Sequence, residues 1–411
     1  MTVGTVDRQL RDRAARVLPG GMYGHQNAKL LSPDHPQFFA RGSGARVWDA
    51  DGTEYVDLMC SWGPIVLGHQ HEGVQRAVRA QMEKAECLNG PTDVLVELSE
   101  LLVDTVAHAR WALFAKNGTD ATTTAVTIAR AATGRDKILV AKGAYHGSAP
   151  WCTPGPAGVT AEDRVNVVKF EYNDLDSVRA AVAEAGAGNV AAIVVCPLRH
   201  DTFRDQELVE PAFAIGLRAI CDTIGAALVL DEVRAGLRLD LAGSWESHGV
   251  RPDLSAWSKA IANGHALACV LGTDALREAA SSIYVTGSFW MAATSMAAAV
   301  ATISAIRDDD GIASMHRAGS RLRDGLEAQA KSHGFDVRCS GPAQLPFLTF
   351  AGDTDFALAR EWAAGCARNG VYLHPTHNWF IGAAHTDADI DRALDGTDAA
   401  FAALAGADRA A

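Results

Sequence analysis

The stretch "AALVLDEV", residues 226–233, sets an apolar run directly before two carboxylates. The run has no polar alternation, so a strand here would be covered on both faces. Four other stretches share that character: "KILVAKG" (137–143), "VNVVKF" (165–170), "NVAAIVVCP" (189–197) and "ALACVLG" (266–272). Helical stretches lie between them, with candidates at 119–132, 174–185 and 208–225. Buried strands alternating with helices predict an α/β domain on a mostly parallel sheet, with helices on both faces. Ligands of such sheets sit beyond the carboxyl ends of the strands. Asp231 falls at such an end, and a carboxylate there needs a cationic partner: Mg2+, a helix terminus or a protonated ring nitrogen.

Other polar residues fall at equivalent places. Asn117, Gly118 and Thr119 follow "ALFAK" and open a helix. Gly118 allows close backbone approach, Thr119 adds a hydroxyl, and the helix start offers free N–H groups to an anion. An ordinary N-cap by Asn117 or Thr119 explains the same residues. Tyr145 and His146 follow "KILVAKGA". Lys259 stands in "PDLSAWSKAIANG" (252–264), among small and apolar residues. Two readings fit it: a packed stem with its amine in water, or a desolvated, nucleophilic amine.

Around this core, residues 8–18 read as a helix ending at "PGG", and "ARVWDADGTEYVDLM" (45–59) as strand, Asp-Gly turn, strand. After about 310 the pattern returns to helix, strand, helix, strand and ends in "HTDADIDRAL". The expected organisation is an N-terminal segment (1–60) belonging to a smaller α+β domain, a large domain (61–310), and a C-terminal part of the small domain (311–411). A length of 411 residues accords with about two domains.

Composition narrows the function. The formal net charge is -12 without a lysine-rich run, which argues against nucleic acid and anionic membranes as partners. "MAATSMAAAVATISAI" (291–306) is too short to span a bilayer and reads as a buried helix. Of the eight cysteines, Cys60, Cys196, Cys221 and Cys269 lie in apolar surroundings and read as buried thiols in a reducing compartment. The N-terminus has no apolar signal region, so a cytoplasmic location is expected. There is no GxxxxGK[ST] and no GxSxG, and "GAGNVA" (186–191) precedes a strand where a dinucleotide fingerprint would follow one. "GHQH" (68–71) and "HPTH" (374–377) lack thiolate or carboxylate companions at ligand spacing, so no metal is expected; His377 remains a candidate for touching substrate.

What singles out one chemistry is the order of the parts. An anion cradle comes first, then an aromatic after the next strand, then a strand-terminal Asp, then a lysine. These are the parts that pyridoxal 5′-phosphate needs. At these residues the chain resembles the class III, fold type I pyridoxal-phosphate aminotransferases, in the branch of glutamate-1-semialdehyde aminomutase. The stretches that carry the resemblance are "SWGPIVLGHQH", "NGTDATTTAVTIARAATGRDKI", "AYHG", "LVLDEV", "PDLSAWSKAIANG" and "AAHTDADI". The resemblance implies that Lys259 is the Schiff-base lysine and that Asp231 pairs with the pyridine nitrogen. It also implies that Tyr145 and Val233 cover the two ring faces and that Gly118 and Thr119 bind the phosphate. In "TGSFWMAATSMAAA", Gly287 and Ser288 stand where the family's second subunit reaches that phosphate, which implies a homodimer with shared active sites.

The departures bear on substrate. "KNGTDA" replaces the aminomutase's "NSGTEA", so Asn117 stands where that enzyme has a cradle serine. The loop "MYGHQNAKLL" (22–31) has no arginine to clamp a substrate carboxylate, with Asn27 near the expected place, and His377 falls near an acidic substrate-side position. Tyr23, His25, Asn27, Cys60, Trp62, Trp290, His377 and Trp379 instead suggest aromatic planes and neutral hydrogen-bonders. The expected substrates are small-molecule amines and carbonyls without a carboxylate, such as oxidised amino sugars or aminoglycosides, as in antibiotic biosynthesis. Glutamate or glutamine is the expected donor, with Arg234 as a candidate partner for its carboxylate. The alternative is an aminomutase or epimerase using the same cofactor.

Overall fold

The computed structural model describes residues 4–27, 32 and 34–408. They form two compact units. The second unit, Glu72–Asp201 with Glu207–Ile312, is built on a seven-stranded sheet. In spatial order its strands are Trp111–Ala115, Ala268–Gly272, Leu254–Trp257, Ala227–Asp231, Val190–Val195, Lys137–Ala141 and Val167–Phe170. Six run in parallel. Ala268–Gly272 runs antiparallel to both of its neighbours. An apolar run reads the same in either direction, so this reversal is invisible in the residues alone.

Successive side chains of the central strands leave on opposite faces, which makes two cores. Ile193, Val195, Leu228 and Leu230 pack with Phe213, Leu217 and Cys221 of the helix Pro211–Ile224. Ala192, Val194, Ala227 and Val229 face the other way, onto Ala121, Ala125 and Ala129 of the helix Gly118–Thr133. The alanines on both sides of that second contact let helix and sheet approach closely. Asn117 caps this helix by accepting from the Asp120 N–H, and Gly134 ends it in the left-handed region. The helix Ala293–Asp308 is the buried one expected from its alanine-rich run.

The first unit takes the chain to His71, Thr202–Gln206, and the chain from Ala313 on. It runs past residue 60 because Gly44 and His69 exchange backbone hydrogen bonds at 2.8 and 2.9 Å, and His69 Nε2 meets Asp57 Oδ2 at 2.8 Å. Its sheet has four strands: Phe39–Ser43, Arg46–Asp49, Glu54–Asp57 and Val371–Tyr372. The first three are antiparallel, and the last joins Glu54–Asp57 in parallel. The turn at Gly52 is held by Asp49, whose Oδ1 accepts from Asp51 and Thr53 N–H groups. Trp362, Trp379, Phe350 and Phe401 form an aromatic core with the helices Ala357–Arg368 and Asp387–Asp408. Among the described residues, no helix is long and apolar enough to cross a membrane.

Candidate active site

Asp231 ends its strand and is buried. One carboxylate oxygen accepts from the Val233 N–H at 3.1 Å; the other lies 2.7 Å from His146 Nδ1. His146 comes from the end of a different strand, Lys137–Ala141, two places along the sheet. Its own carbonyl accepts from the Thr122 hydroxyl at 2.6 Å, which ties the loop to the helix Gly118–Thr133. Its ring lies nearly parallel to that of Trp151, and Nε2 is buried without a hydrogen-bond partner. Cys196 completes the cluster, with Sγ 3.8 Å from His146 Nδ1 and 4.0 Å from Asp231 Oδ2. Burial drives the Cys196 thiol well above its ordinary value, so it stays protonated.

The start of the helix Gly118–Thr133 closes on the same region. A Cβ at Gly118 would lie 2.8 Å from Val233 Cγ1, so only glycine fits against that side chain. Gly147 has φ +124° and passes Thr119 so closely that a Cβ would sit 2.5 Å from its Oγ1. That hydroxyl accepts from the Ser148 N–H at 3.1 Å. Gly118, Thr119, Val233 and Asp231 are thus brought together, as the sequence reading expects. Tyr145 lies on the same loop as His146 and is about two-fifths exposed; partial burial raises its phenol.

Lys259 opens a short helical turn, Lys259–Ala262, directly after the strand Leu254–Trp257. Its φ of +47° is in the left-handed region, unusual for a side chain other than Gly, Asn or Asp. Burial is the main cause that lowers its amine from 10.5 to about 7; the Arg234 and Arg238 guanidinium groups act in the same direction, and Asp231 opposes them. That lowering accords with the desolvated reading of this lysine. Arg234 is itself buried, donates to the His200 carbonyl at 3.3 Å, and is lowered to about 10 by burial. Ser288 is exposed, on a segment with exposed Tyr284, Phe289 and Met291.

The remaining candidates belong to the first unit. Tyr23 is 71% exposed. His25 lies in the turn Gly24–Gln26, with its side chain outside the described residues, as are residues 28–31 of the same loop. Trp62 packs with ring centroids 5.1 Å from both His374 and His377. It ends a turn, Cys60–Trp62, whose three residues all have positive φ: 47°, 54° and 65°. His377 is buried, with Nδ1 2.6 Å from the Asn378 carbonyl. Trp379 is a correction. It is 1% exposed, donates from Nε1 to the His374 carbonyl at 2.9 Å and packs on Trp362. With its polar atom met and almost no exposed surface, it packs as a core residue.

His146 is the site residue that sequence reasoning did not assign a role. Its position after a strand in "AYHG" was the available signal; the carboxylate it meets lies 85 residues away in the chain. Together the groups offer a buried carboxylate with an imidazole on it, a desolvated amine and a glycine-lined helix start. Such a set can hold a flat, protonated heteroaromatic ring with an anionic arm and move a proton beside it.

Comparison with known proteins accords with that chemistry. The family model described as aminotransferase class-III matches residues 31–392. An aminopentol aminotransferase of Sphingopyxis macrogoltabida is 48% identical, over 98% of this chain and 96% of its own. A glutamate-1-semialdehyde 2,1-aminomutase of Desulfatibacillum aliphaticivorans is 31% identical over 94% of this chain and 97% of its own. Among solved structures, the FumI protein of Sphingopyxis sp. MTA144, described as the internal aldimine form with pyridoxal phosphate, superimposes with a TM-score of 0.97. It has 47% identity and covers 99% of this chain and 98% of its own.

Proposed function

This chain belongs to the class-III aminotransferases, with pyridoxal phosphate as cofactor, and we propose that the amine it exchanges sits on a hydroxylated molecule without a carboxylate. The observation that carries the proposal is its 48% identity, across nearly its whole length, to an aminotransferase named for an aminopentol. The segment 22–27 agrees with it: Tyr23, His25, Gln26 and Asn27 are hydrogen-bonding groups, and no arginine is present to meet a carboxylate. Hydroxyls can be met by such groups, whereas an unpaired carboxylate in a dry pocket is costly.

The residues fit the cofactor on physical grounds. Lys259 would carry it through Nζ, and Asp231, backed by His146, would face the ring nitrogen. Tyr145 and Val233 would cover the ring, and Gly118, Thr119 and the helix start would take the phosphate. Ser288 would reach the phosphate of a second copy, since it stands on an exposed apolar segment suited to a homodimer face. When bound, the cofactor supplies a ring that accepts electrons from the carbon bearing the amine. His146 holds one oxygen of Asp231, so the carboxylate keeps its aim. Lys259, lowered to about 7, has a large neutral fraction at neutral pH, and its Nζ takes the proton from that carbon. For the other half of the exchange we propose glutamate or glutamine, with buried Arg234 as the cation for its carboxylate.

The test is to mix the holoprotein with amine-bearing polyols and amino sugars and follow the cofactor's visible absorption. Conversion of the band, with release of the matching carbonyl product, is expected. Efficient isomerisation of glutamate-1-semialdehyde with no exchange on amino polyols would overturn the reading in favour of an aminomutase.

A further inference from the structure

Trp257 is the last residue of the strand Leu254–Trp257 and stands two places before Lys259. Its side chain is buried, and its Nε1 donates to the Ser255 hydroxyl at 2.6 Å. Ser255 Oγ lies in turn 3.0 Å from His108 Nε2. Burial is the main cause that lowers this imidazole to about 4, so the ring is neutral at neutral pH and Nε2 accepts from the serine. A bond to the Leu271 backbone also holds the ring. Leu271 is the residue that pairs with Ser255 across the sheet. The chain of bonds thus starts at Trp257 and returns to the neighbouring strand. A buried polar chain whose members all have partners is rigid.

The indole packs against the turn that follows Asp231. A Cβ at Gly236 would lie 2.4 Å from Trp257 Cζ3, so glycine is what lets the turn come this close. The turn is closed by the Gly236 N–H, which donates to the Glu232 carbonyl at 2.8 Å. The Glu232 N–H donates to the Ala256 carbonyl at 2.9 Å, which ties the turn to the residue before Trp257. Arg234 lies within the turn and Arg238 just beyond it, both buried. After Trp257, Ser258 Oγ donates to the Leu267 carbonyl at 3.0 Å. Lys259 then takes its φ of +47°, a conformation that its surroundings must hold in place.

We propose that Trp257 is a positioning residue for Lys259. Anchored through Ser255 to His108, its ring fixes the turn bearing Arg234 and Arg238 against the strand end from which the lysine projects. This rests on the reading that Lys259 carries the cofactor. The charged and titratable groups around Lys259 are Asp231, Arg234, Arg238 and His200. Burial lowers the His200 imidazole well below its ordinary value, so it is uncharged. Besides burial, the largest cause, the two guanidinium groups disfavour a positive charge on the lysine nitrogen, and Asp231 favours one. Loosening the turn lets the guanidinium groups draw away, and the nitrogen then keeps its proton to higher pH.

The test is a pH titration of the cofactor's visible absorption band in the holoprotein, which needs no substrate. Trp257→Phe keeps an aromatic ring and removes the indole N–H. His108→Leu cuts the chain of bonds at its far end, and His108→Gln returns an acceptor near the place of Nε2. Trp257→Phe and His108→Leu should raise the midpoint of the band by roughly 0.5–1 pH unit, part of the shift that a close charge produces. His108→Gln should undo most of that rise. Should Trp257→Phe fold poorly, His108→Leu decides. Borohydride reduction and peptide mapping of the same samples report which lysine holds the cofactor. A label on Lys259 with an unmoved or lowered midpoint, even with reduced thermal stability, makes Trp257 a packing residue only and overturns the proposal alone. So does a His108→Gln midpoint no nearer the unaltered protein's than that of His108→Leu. A label on another lysine overturns the reading beneath the proposal, and the proposal with it.

Discussion

The end of the seven-stranded sheet and the Cys60–Trp62 turn hold their side chains by opposite means. At the sheet, Asp231 and His146 follow the ends of strands and are fixed by the hydrogen bond between them, while Lys259 beside them takes a left-handed φ of +47°. Burial and two guanidinium groups keep Lys259 near 7. At the turn, three residues stay in an unfavourable backbone region because Asp57 grips the turn and Trp62 packs on His374 and His377. The first arrangement suits a reaction, which needs groups of set protonation. The second suits recognition, which needs surfaces of set direction.

Four experiments can break or sharpen this contrast. The largest effect should come from Lys259→Met, which removes the proton carrier and should lower turnover by roughly 10²–10⁴-fold or more. Borohydride reduction of the holoprotein followed by peptide mapping should label Lys259; a label on another lysine would move the reacting centre elsewhere. Next is Trp379→Ala, which should lower stability by about 3–5 kcal/mol in denaturant titration, as for other buried tryptophans. An unchanged midpoint with a raised KM would return Trp379 to the substrate side.

The third experiment is a pH profile. The lowered amine of Lys259 makes activity rise with pH through about 7, because the neutral form takes the proton. Arg234 is one cause of that lowering, so Arg234→Met should raise the amine toward its ordinary value and move the ascending limb to higher pH. A limb that stays in place would mean that burial and Arg238 set Lys259 without Arg234. The smallest effect should be Ser61→Gly. Glycine accepts the +54° φ without strain, so thermal unfolding should show a gain of up to about 1 kcal/mol. If the turn presents substrate contacts, the same change should raise KM and leave the Lys259 limb unmoved.

The same contrast explains what was legible in the residues. Strand ends can be read because apolar runs mark the strands and their carboxyl ends mark the ligand side. Asp231, Gly118 and Thr119 could be picked out that way; Lys259 stood out by its small, apolar neighbours, since its own strand, Leu254–Trp257, was not among the runs read. The bond from His146 to Asp231 could not, since nothing in "AYHG" says which carboxylate a histidine will meet 85 residues on. The turn was harder still. Cys60, Ser61 and Trp62 carry no glycine or asparagine to announce positive φ, and their conformation is imposed by contacts from elsewhere in the fold. The burial of Trp379 was hidden for a related reason: a tryptophan beside histidines looks the same whether it lines a pocket or fills a core.

The four-stranded sheet has a consequence for how the protein is made. Val371 pairs with Val56, a partner synthesised several hundred residues earlier. At ordinary rates of synthesis that interval is on the order of tens of seconds. Until it ends, Glu54–Asp57 is an open edge on the nascent chain, able to pair with any other strand it meets. The intervening residues include all of the seven-stranded unit, whose strands can find one another first. A ribosome that stalls short of residue 371 therefore releases a chain with one sheet able to close and the other left sticky along its edge.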